Sequence, residues 1–171
     1  MTTSNSSPLG SGLRLAGPQP TRLDHTFFEN EVRPMLGSIL LKKGWVTRER
    51  LDDALAAAKA TGMRLGEILL TRGWLFEGEL AHALAEQFGF EYIDLATRSV
   101  DPNAAGLLPV EVARRIFAVP VRFVGQDELI VAIADPGDVD QDALERMLCH
   151  KVRLVVGERS AIQDAWRHLP R

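Results

Sequence analysis

Several features that mark secreted proteins, membrane proteins and nucleic-acid binders are scarce in this chain of 171 residues. Its single cysteine, Cys149, excludes an internal disulfide. The longest apolar stretches are about half of the roughly 20 residues that a membrane span requires, and no signal-peptide pattern opens the chain. The net charge of −3 argues against a general DNA or RNA binder, because phosphate contacts need a basic face. These absences predict a cytoplasmic protein without direct membrane insertion.

Motifs that carry catalysis are missing as well. The sequence has no Gly-x-x-x-x-Gly-Lys-Ser/Thr phosphate loop, no Gly-x-Gly-x-x-Gly, no His-Glu-x-x-His and no Gly-x-Ser-x-Gly. Asp135 and Asp138 allow two interpretations, a carboxylate pair for a metal or ordinary turn and cap chemistry, and the Asp-Pro-Gly-Asp order favours the cap. The sequence therefore predicts no enzymatic activity, no catalytic residue, no metal and no cofactor.

A tandem repeat with a spacing of 29 positions is the most informative feature that is present. Residues 36–45 read LGSILLKKGW and residues 65–74 read LGEILLTRGW, and the register continues to Leu51 over Leu80 and Leu55 over Leu84. Each copy predicts a short apolar helix, a glycine break and a second amphipathic helix. Neither copy buries its apolar stripe alone, so the two copies must pack together.

The remaining pattern predicts the other elements. Within the repeat, helices are expected over 35–43, from the Thr47 cap to 60, over 64–72 and over 76–88, with Gly89 as the last stop. Beyond it, the sequence predicts strands over 91–95, 119–124, 128–134 and 152–156, and helices over 108–115, 140–149 and 160–169. Gly125-Gln126-Asp127 is typical of a hairpin turn between the second and third strands.

These elements predict an α+β fold, in which a tandem helical repeat of about four helices precedes a small α/β unit with three to four strands. The boundaries expected from composition are a disordered tail over 1–25, the helical repeat over 26–90 and the α/β subdomain over 91–171. A short docking helix over 23–34, ended by Pro34, is a further expectation.

The second copy carries a resemblance to a known family. Its residues Arg64-Leu65-Gly66-x-x-Leu69-Leu70-x-x-Gly73-Trp74-Leu75-x-x-x-x-Leu80-x-x-x-Leu84-x-x-Gln87 resemble the long nucleotide-binding motif of the MshEN family, with every defining position present. MshEN is the N-terminal domain of type II secretion and type IV pilus assembly ATPases. The resemblance extends over about residues 35–168, and the ATPase domain is not part of it.

The resemblance implies a ligand and a set of binding residues. In the family, two tandem copies hold one cyclic di-GMP, mostly by main-chain and apolar contacts, with arginine and glutamine adding polar ones. Transferred to the second copy of this sequence, the ligand-binding residues are Arg64, Leu65, Gly66, Leu69, Leu70, Gly73, Trp74, Leu75, Leu80, Leu84 and Gln87. Transferred to the first copy, they are Leu36, Gly37, Leu40, Leu41, Gly44, Trp45, Leu51 and Leu55.

The first copy departs from the motif at both polar ends. Met35 stands where arginine is expected, and Ala58 stands where glutamine is expected. If each missing polar contact costs about 1–2 kcal/mol, the affinity falls about 30- to 1000-fold below that of a complete double motif.

Two functional hypotheses follow. The chain is a cyclic di-GMP sensor, or it is an adaptor module that docks a secretion or pilus ATPase or a membrane-platform subunit without binding nucleotide. The intact second motif favours the sensor, and the damaged first motif favours the adaptor.

Overall fold

The computed structural model of the chain describes residues 35–168, all of which belong to one compact unit. The predicted tail over 1–25 and the predicted docking helix over 23–34 lie outside the described residues. No helix of the described part is long and apolar enough to cross a membrane. The architecture is α+β, as predicted, with a helical part followed by a small unit built on a four-stranded sheet.

The helical repeat forms as the sequence predicts. Its helices are α1 (Leu36–Lys43), α2 (Arg48–Thr61), α3 (Leu65–Thr71) and α4 (Glu77–Phe88). Thr47 begins α2, because its hydroxyl oxygen accepts a hydrogen bond from the Arg50 amide at 3.4 Å. The four helices pack crosswise, α1 against α4 and α2 against α3, so each copy completes the core of the other.

The two copies repeat each other down to single hydrogen bonds. After α1, the Trp45 amide donates to the Leu40 carbonyl at 3.0 Å, and after α3 the Trp74 amide donates to the Leu69 carbonyl at 2.9 Å. These turns require left-handed backbone, which Gly44 and Gly73 supply with φ of 71° and 66°. The repeat at a spacing of 29 residues is therefore present in the backbone structure as well as in the sequence.

The other glycine of each motif has a packing role. A Cβ built on Gly37 would stand 3.2 Å from a terminal methyl of Leu51, and a Cβ built on Gly66 would stand 2.9 Å from a terminal methyl of Leu80. In each copy, the bare first turn of the short helix thus lets a leucine of the long helix pack against its backbone.

The sheet unit follows the repeat. Its strands are β1 (Glu91–Tyr92), β2 (Ala118–Val124), β3 (Glu128–Ile133) and β4 (Lys151–Val156), in the spatial order β1-β4-β3-β2. β2 and β3 form the predicted antiparallel hairpin, whereas β4 runs parallel to both β3 and β1. The helices of this unit are α5 (Pro102–Ala105), α6 (Val110–Ile116), α7 (Gln141–Leu148) and α8 (Arg159–Ala165).

Two local predictions were wrong. The first strand was expected over 91–95 but ends at Tyr92, because its partner β4 ends at Val156 and the chain then turns on the Asp94 side chain, which accepts from the Ala96 amide. Helix α5 was not predicted, although Asp101 caps it by accepting from the Asn103 amide at 2.9 Å. Four residues are too few to show an apolar period.

The sheet unit packs mainly on the second copy of the repeat. Helix α4 packs on β1 and β4, where Ala81, Leu84 and Ala85 form a small core with Val156. Leu84 is 8% exposed, whereas Leu55, its equivalent in the first copy, is 45% exposed. The same residue type at the same repeat position is therefore core in one copy and surface in the other.

The start of α8 is fastened to the helical repeat and to β1. The Ser160 amide donates to a carboxylate oxygen of Glu77 in α4 at 3.0 Å, and the Tyr92 hydroxyl donates to Glu158 at 3.1 Å. A Cβ on Gly78 would stand 2.9 Å from that Glu158 carboxylate, so α4 and α8 meet in close contact. The residues on either side of Arg159 are thus held by hydrogen bonds to β1 and α4.

We predict that the equivalent leucines differ in their effect on stability. Leu84→Ala removes a buried side chain and should lower the free energy of unfolding by about 2–4 kcal/mol. Leu55→Ala removes a half-exposed side chain and should lower it by less than about 1 kcal/mol. Urea unfolding of both variants measures the difference. Equal losses would mean that the sheet unit does not cover α4 selectively.

We also predict a displaced titration of Tyr92, the single tyrosine of the chain. Partial burial, followed by the hydrogen bond and charge of Glu158, raises its pKa from 10.0 to about 12. As the pH rises, the unfolded chain therefore loses the Tyr92 proton before the folded chain does. The contribution of this tyrosine to the free energy of unfolding is complete below pH 10 and is lost as the pH rises through about 12. Phenolate absorbance reports on this residue alone.

Glu158→Gln is the control for that titration. It removes the neighbouring charge, so the pKa of Tyr92 should fall toward its usual value. A titration midpoint near 10.0 for Tyr92 in the folded wild type would contradict its hydrogen bond to Glu158.

Candidate functional site

A cavity of about 380 Å³ lies where α3 and α4 meet the sheet unit. Its walls come from both parts of the fold, and most of the lining atoms that solvent reaches are apolar. The lining residues are Leu36, Arg64, Leu65, Gly66, Glu67, Leu70, Glu77, Leu80, Ala81, Leu84, Gln87, Phe88, Ala134, Asp135, Gly137, Gly157 and Arg159. The size and the mixture of apolar wall with a few polar groups suit a small organic ligand.

The second copy of the repeat contributes most of this lining. Seven of its eleven candidate residues line the cavity, including both polar ends. Arg64 and Gln87 begin and end a motif of 24 residues, yet the fold brings them to one cavity because α3 and α4 both border it. These seven are Arg64, Leu65, Gly66, Leu70, Leu80, Leu84 and Gln87.

The other candidate residues have different positions. Leu36 is the single first-copy residue in the cavity lining, and Leu55 is half-exposed. Gly44 and Gly73 form the two left-handed turns, and Gly37 packs against Leu51. The rest belong to the core of the repeat or pack against it, and these are Leu40, Leu41, Trp45, Leu51, Leu69, Trp74 and Leu75.

The guanidinium of Arg64 is held by two carboxylates of the sheet unit. Its Nη1 donates to Asp135 at 2.5 Å and to Asp138 at 2.9 Å, and its Nη2 donates to the second oxygen of Asp138. The hydrogen bond to Asp138, with the charges of both carboxylates, raises the pKa of Arg64 above its usual value despite partial burial. The arginine of the motif therefore stays charged and joins the repeat to the segment after β3.

This ion pair leaves part of the arginine free for a ligand. A guanidinium has five N–H groups, and the hydrogen bonds to Asp135 and Asp138 engage three of them. The Arg64 side chain is 52% exposed, so solvent screens the pair and its contribution to stability is about 1 kcal/mol or less. Arg64 is thus an oriented hydrogen-bond donor whose charge is already balanced by two carboxylates.

The structure confirms the cap interpretation of Asp135. Its second carboxylate oxygen accepts from the Gly137 amide at 2.8 Å and begins the 3-10 turn Pro136–Asp138. Within residues 35–168, no group of three or more His, Cys, Asp or Glu side chains is arranged to hold a metal ion. Asp135 caps the turn, and both aspartates accept hydrogen bonds from Arg64.

The first copy lacks the corresponding polar groups. Met35 has the same extended cap conformation as Arg64, with φ and ψ of −67° and 139° against −71° and 144°, but its side chain is 73% exposed. Ala58 packs against the core of the repeat. The backbone of the motif is thus duplicated, whereas its polar chemistry is not.

Sequence reasoning missed the wall that the sheet unit contributes. This wall consists of Ala134, Asp135, Gly137, Gly157 and Arg159, which lie 70 or more positions beyond Arg64. No local spacing marks them, because they reach the cavity only when α4 packs on the sheet. The Asp-Pro-Gly-Asp turn was the one visible signal.

Comparison with known proteins gives consistent matches. Type IV pilus assembly ATPase PilB of Thermus thermophilus is 39% identical over 135 residues, covering 78% of this chain and 14% of PilB. Bacteriophage adsorption protein B of Escherichia coli is 37% identical over 138 residues, covering 80% and 18%. The chain therefore spans less than a fifth of the length of these two relatives.

Solved structures match over almost their whole length. The structure described as MshE with cdg is 36% identical, has a TM-score of 0.68 and is covered to 98%, with 79% of this chain aligned. The N-terminal domain of XpsE, at 23% identity and a TM-score of 0.61, shares the fold, with 80% of this chain and 94% of that chain covered.

The family match completes the comparison. The family model of the MshEN domain matches residues 88–171, which include the sheet unit but not the repeated motif. The MshE structure extends the likeness over the helical repeat, because it covers 79% of this chain. On both matches, this chain belongs to the MshEN domain family.

Proposed function

We propose that this chain is a regulatory domain that binds cyclic di-GMP in the cavity beside its second repeat. The observation that carries the proposal is the convergence of Arg64, Gln87 and five apolar or glycine positions of one motif on a single cavity. The similar MshE structure, described with cdg, supports the choice of ligand.

The chemistry of the cavity suits a guanine nucleotide. Guanine presents two acceptors, O6 and N7, that a guanidinium can contact together. Arg64 offers such donors, and Gln87 offers an amide with both donor and acceptor groups. Leu65, Leu70 and Leu80 supply apolar surface for the flat face of a purine.

The asymmetry of the two copies limits the affinity. Cyclic di-GMP has two nearly equivalent halves, so a complete double motif would contact each half with the same groups. In this chain, Met35 and Ala58 offer no polar contact, and the expected loss is about 30- to 1000-fold if each contact contributes about 1–2 kcal/mol. Binding in the micromolar range or weaker follows.

A regulatory rather than catalytic role fits the relatives. The same segment of about 80% of this chain matches a pilus assembly ATPase and a bacteriophage adsorption protein, two proteins with different names. A segment that recurs in such different proteins is typical of a module that senses or docks. We propose that its signal reaches a larger protein or partner, such as a secretion or pilus ATPase.

A second candidate function is supported by the ion pair of Arg64. Asp135 and Asp138 already satisfy the charge of the one motif arginine, so the cavity has no excess positive charge at this point. An adaptor that docks an assembly ATPase or a membrane-platform subunit needs no nucleotide. Under this alternative, the link between Arg64 and the aspartates is purely structural.

Calorimetric titration with cyclic di-GMP tests the proposal. The full chain should bind one nucleotide with micromolar or weaker affinity, and GMP should bind more weakly because it presents half of the ligand. Arg64→Ala should weaken binding at least about 10-fold, because it removes the charged donor of the motif.

Asp138→Asn is the matched control, because it breaks the bidentate ion pair but keeps the guanidinium. Retained binding in Asp138→Asn and lost binding in Arg64→Ala would assign the contact to the arginine itself. Absence of heat for the wild type at several hundred micromolar nucleotide would reject the sensor and favour the adaptor.

A further inference from the structure

The cavity contains a second arginine that the repeated motif does not include. Arg159 is the first residue of α8 and lines the same cavity as Arg64. Both of its neighbours in sequence form hydrogen bonds: the Glu158 carboxylate accepts from the Tyr92 hydroxyl, and the Ser160 amide donates to Glu77. The sheet unit therefore contributes a second arginine to the cavity wall.

The guanidinium of Arg159 is arranged differently from that of Arg64. Its Cζ lies 3.9 Å from the ring centroid of Phe117, a stacked position that occupies the face of the guanidinium. Within residues 35–168, no carboxylate forms an ion pair with it. Stacking leaves the in-plane N–H groups available to an acceptor, and a planar fork of this kind suits phosphate.

The charges around the cavity make this arginine distinctive. Three carboxylates line the wall with the two arginines. Asp135 is paired with Arg64, Glu77 accepts from the Ser160 amide, and Glu67 is exposed. Arg159 is thus the cavity cation whose charge no described carboxylate matches in direct contact.

We propose that Arg159 is a ligand-binding residue that contacts a phosphate of the bound nucleotide and replaces the cation missing at Met35. This inference rests on the proposed cyclic di-GMP function and extends its site to the sheet unit. In the bound state, the Arg159 guanidinium stays stacked on the Phe117 ring, and its in-plane N–H groups donate hydrogen bonds to a phosphate oxygen. The site, in which the first copy lacks the motif arginine, then has a second cation that lies outside the motif.

Calorimetry of four versions of the whole 171-residue chain tests this proposal: wild type, Arg159→Ala, Arg159→Lys and Arg146→Ala. Arg146 is an exposed arginine of α7 that does not line the cavity, so Arg146→Ala removes the same charge elsewhere. Arg159→Ala should weaken cyclic di-GMP binding about 10- to 100-fold, and Arg146→Ala should change it less than about 2-fold.

The lysine variant and added salt identify the kind of contact. Arg159→Lys keeps the charge but not the planar fork, so its affinity should lie between those of the wild type and Arg159→Ala. Raising the salt concentration should weaken the wild type more than Arg159→Ala, since one ion contact is missing in the variant. Thermal unfolding of each protein checks that the Arg159 side chain is dispensable for folding.

The outcomes separate this inference from the function on which it rests. Wild-type binding with equal affinities for Arg159→Ala and Arg146→Ala would overturn the role of Arg159 and leave the proposed function intact. Absence of wild-type binding would overturn both. Loss confined to Arg159→Ala, with unchanged melting temperature, would support the proposal.

Discussion

The packing of α4 on β1 and β4 is the constraint on which the rest of the structure depends. The tandem repeat by itself is nearly symmetric, with equivalent turns at Gly44 and Gly73. The sheet packs mainly on the second copy, and Leu84 is buried whereas Leu55 is half-exposed. The asymmetric packing creates a cavity that is lined by the second copy of the repeat on one side and by the sheet unit on the other.

The ion pair of Arg64 gives this junction its polar character. Residues separated by more than 70 positions meet there, and both carboxylates of the Asp-Pro-Gly-Asp turn face the motif arginine. Under the proposed function, a ligand in contact with Arg64 would also act on the segment after β3, so this side chain would link ligand binding to the junction of the repeat and the sheet unit.

Much of the fold was predictable because its signals are local. Periodic leucines, the Thr47 cap and glycine stops specified the four helices of the repeat to within one or two residues. The hairpin was equally visible, since β-branched runs flank Gly125. The end of β1 was not predictable, because it depends on where β4 ends rather than on the residues of β1.

The site was predictable only in part, for the same reason. The motif predicts Arg64 and Gln87 as ligand contacts, and the structure places both residues in the lining of one cavity. Arg159 and Gly157 belong to the same wall, but they reach it through tertiary packing, which no spacing in the sequence encodes. The role of the motif residues toward a nucleotide remains a prediction.

Backbone amide NMR of the isotope-labelled full chain with cyclic di-GMP tests the central claim, a single nucleotide site shared by the second copy and the sheet unit. We expect shifts that saturate at one nucleotide per chain and concentrate at residues 64–67, 134–137 and 157–160. The chemical shifts of amides near Leu55, on the exposed face of the first copy, should not change. Equal shifts in both copies, or shifts that spare the sheet unit, would contradict the claim.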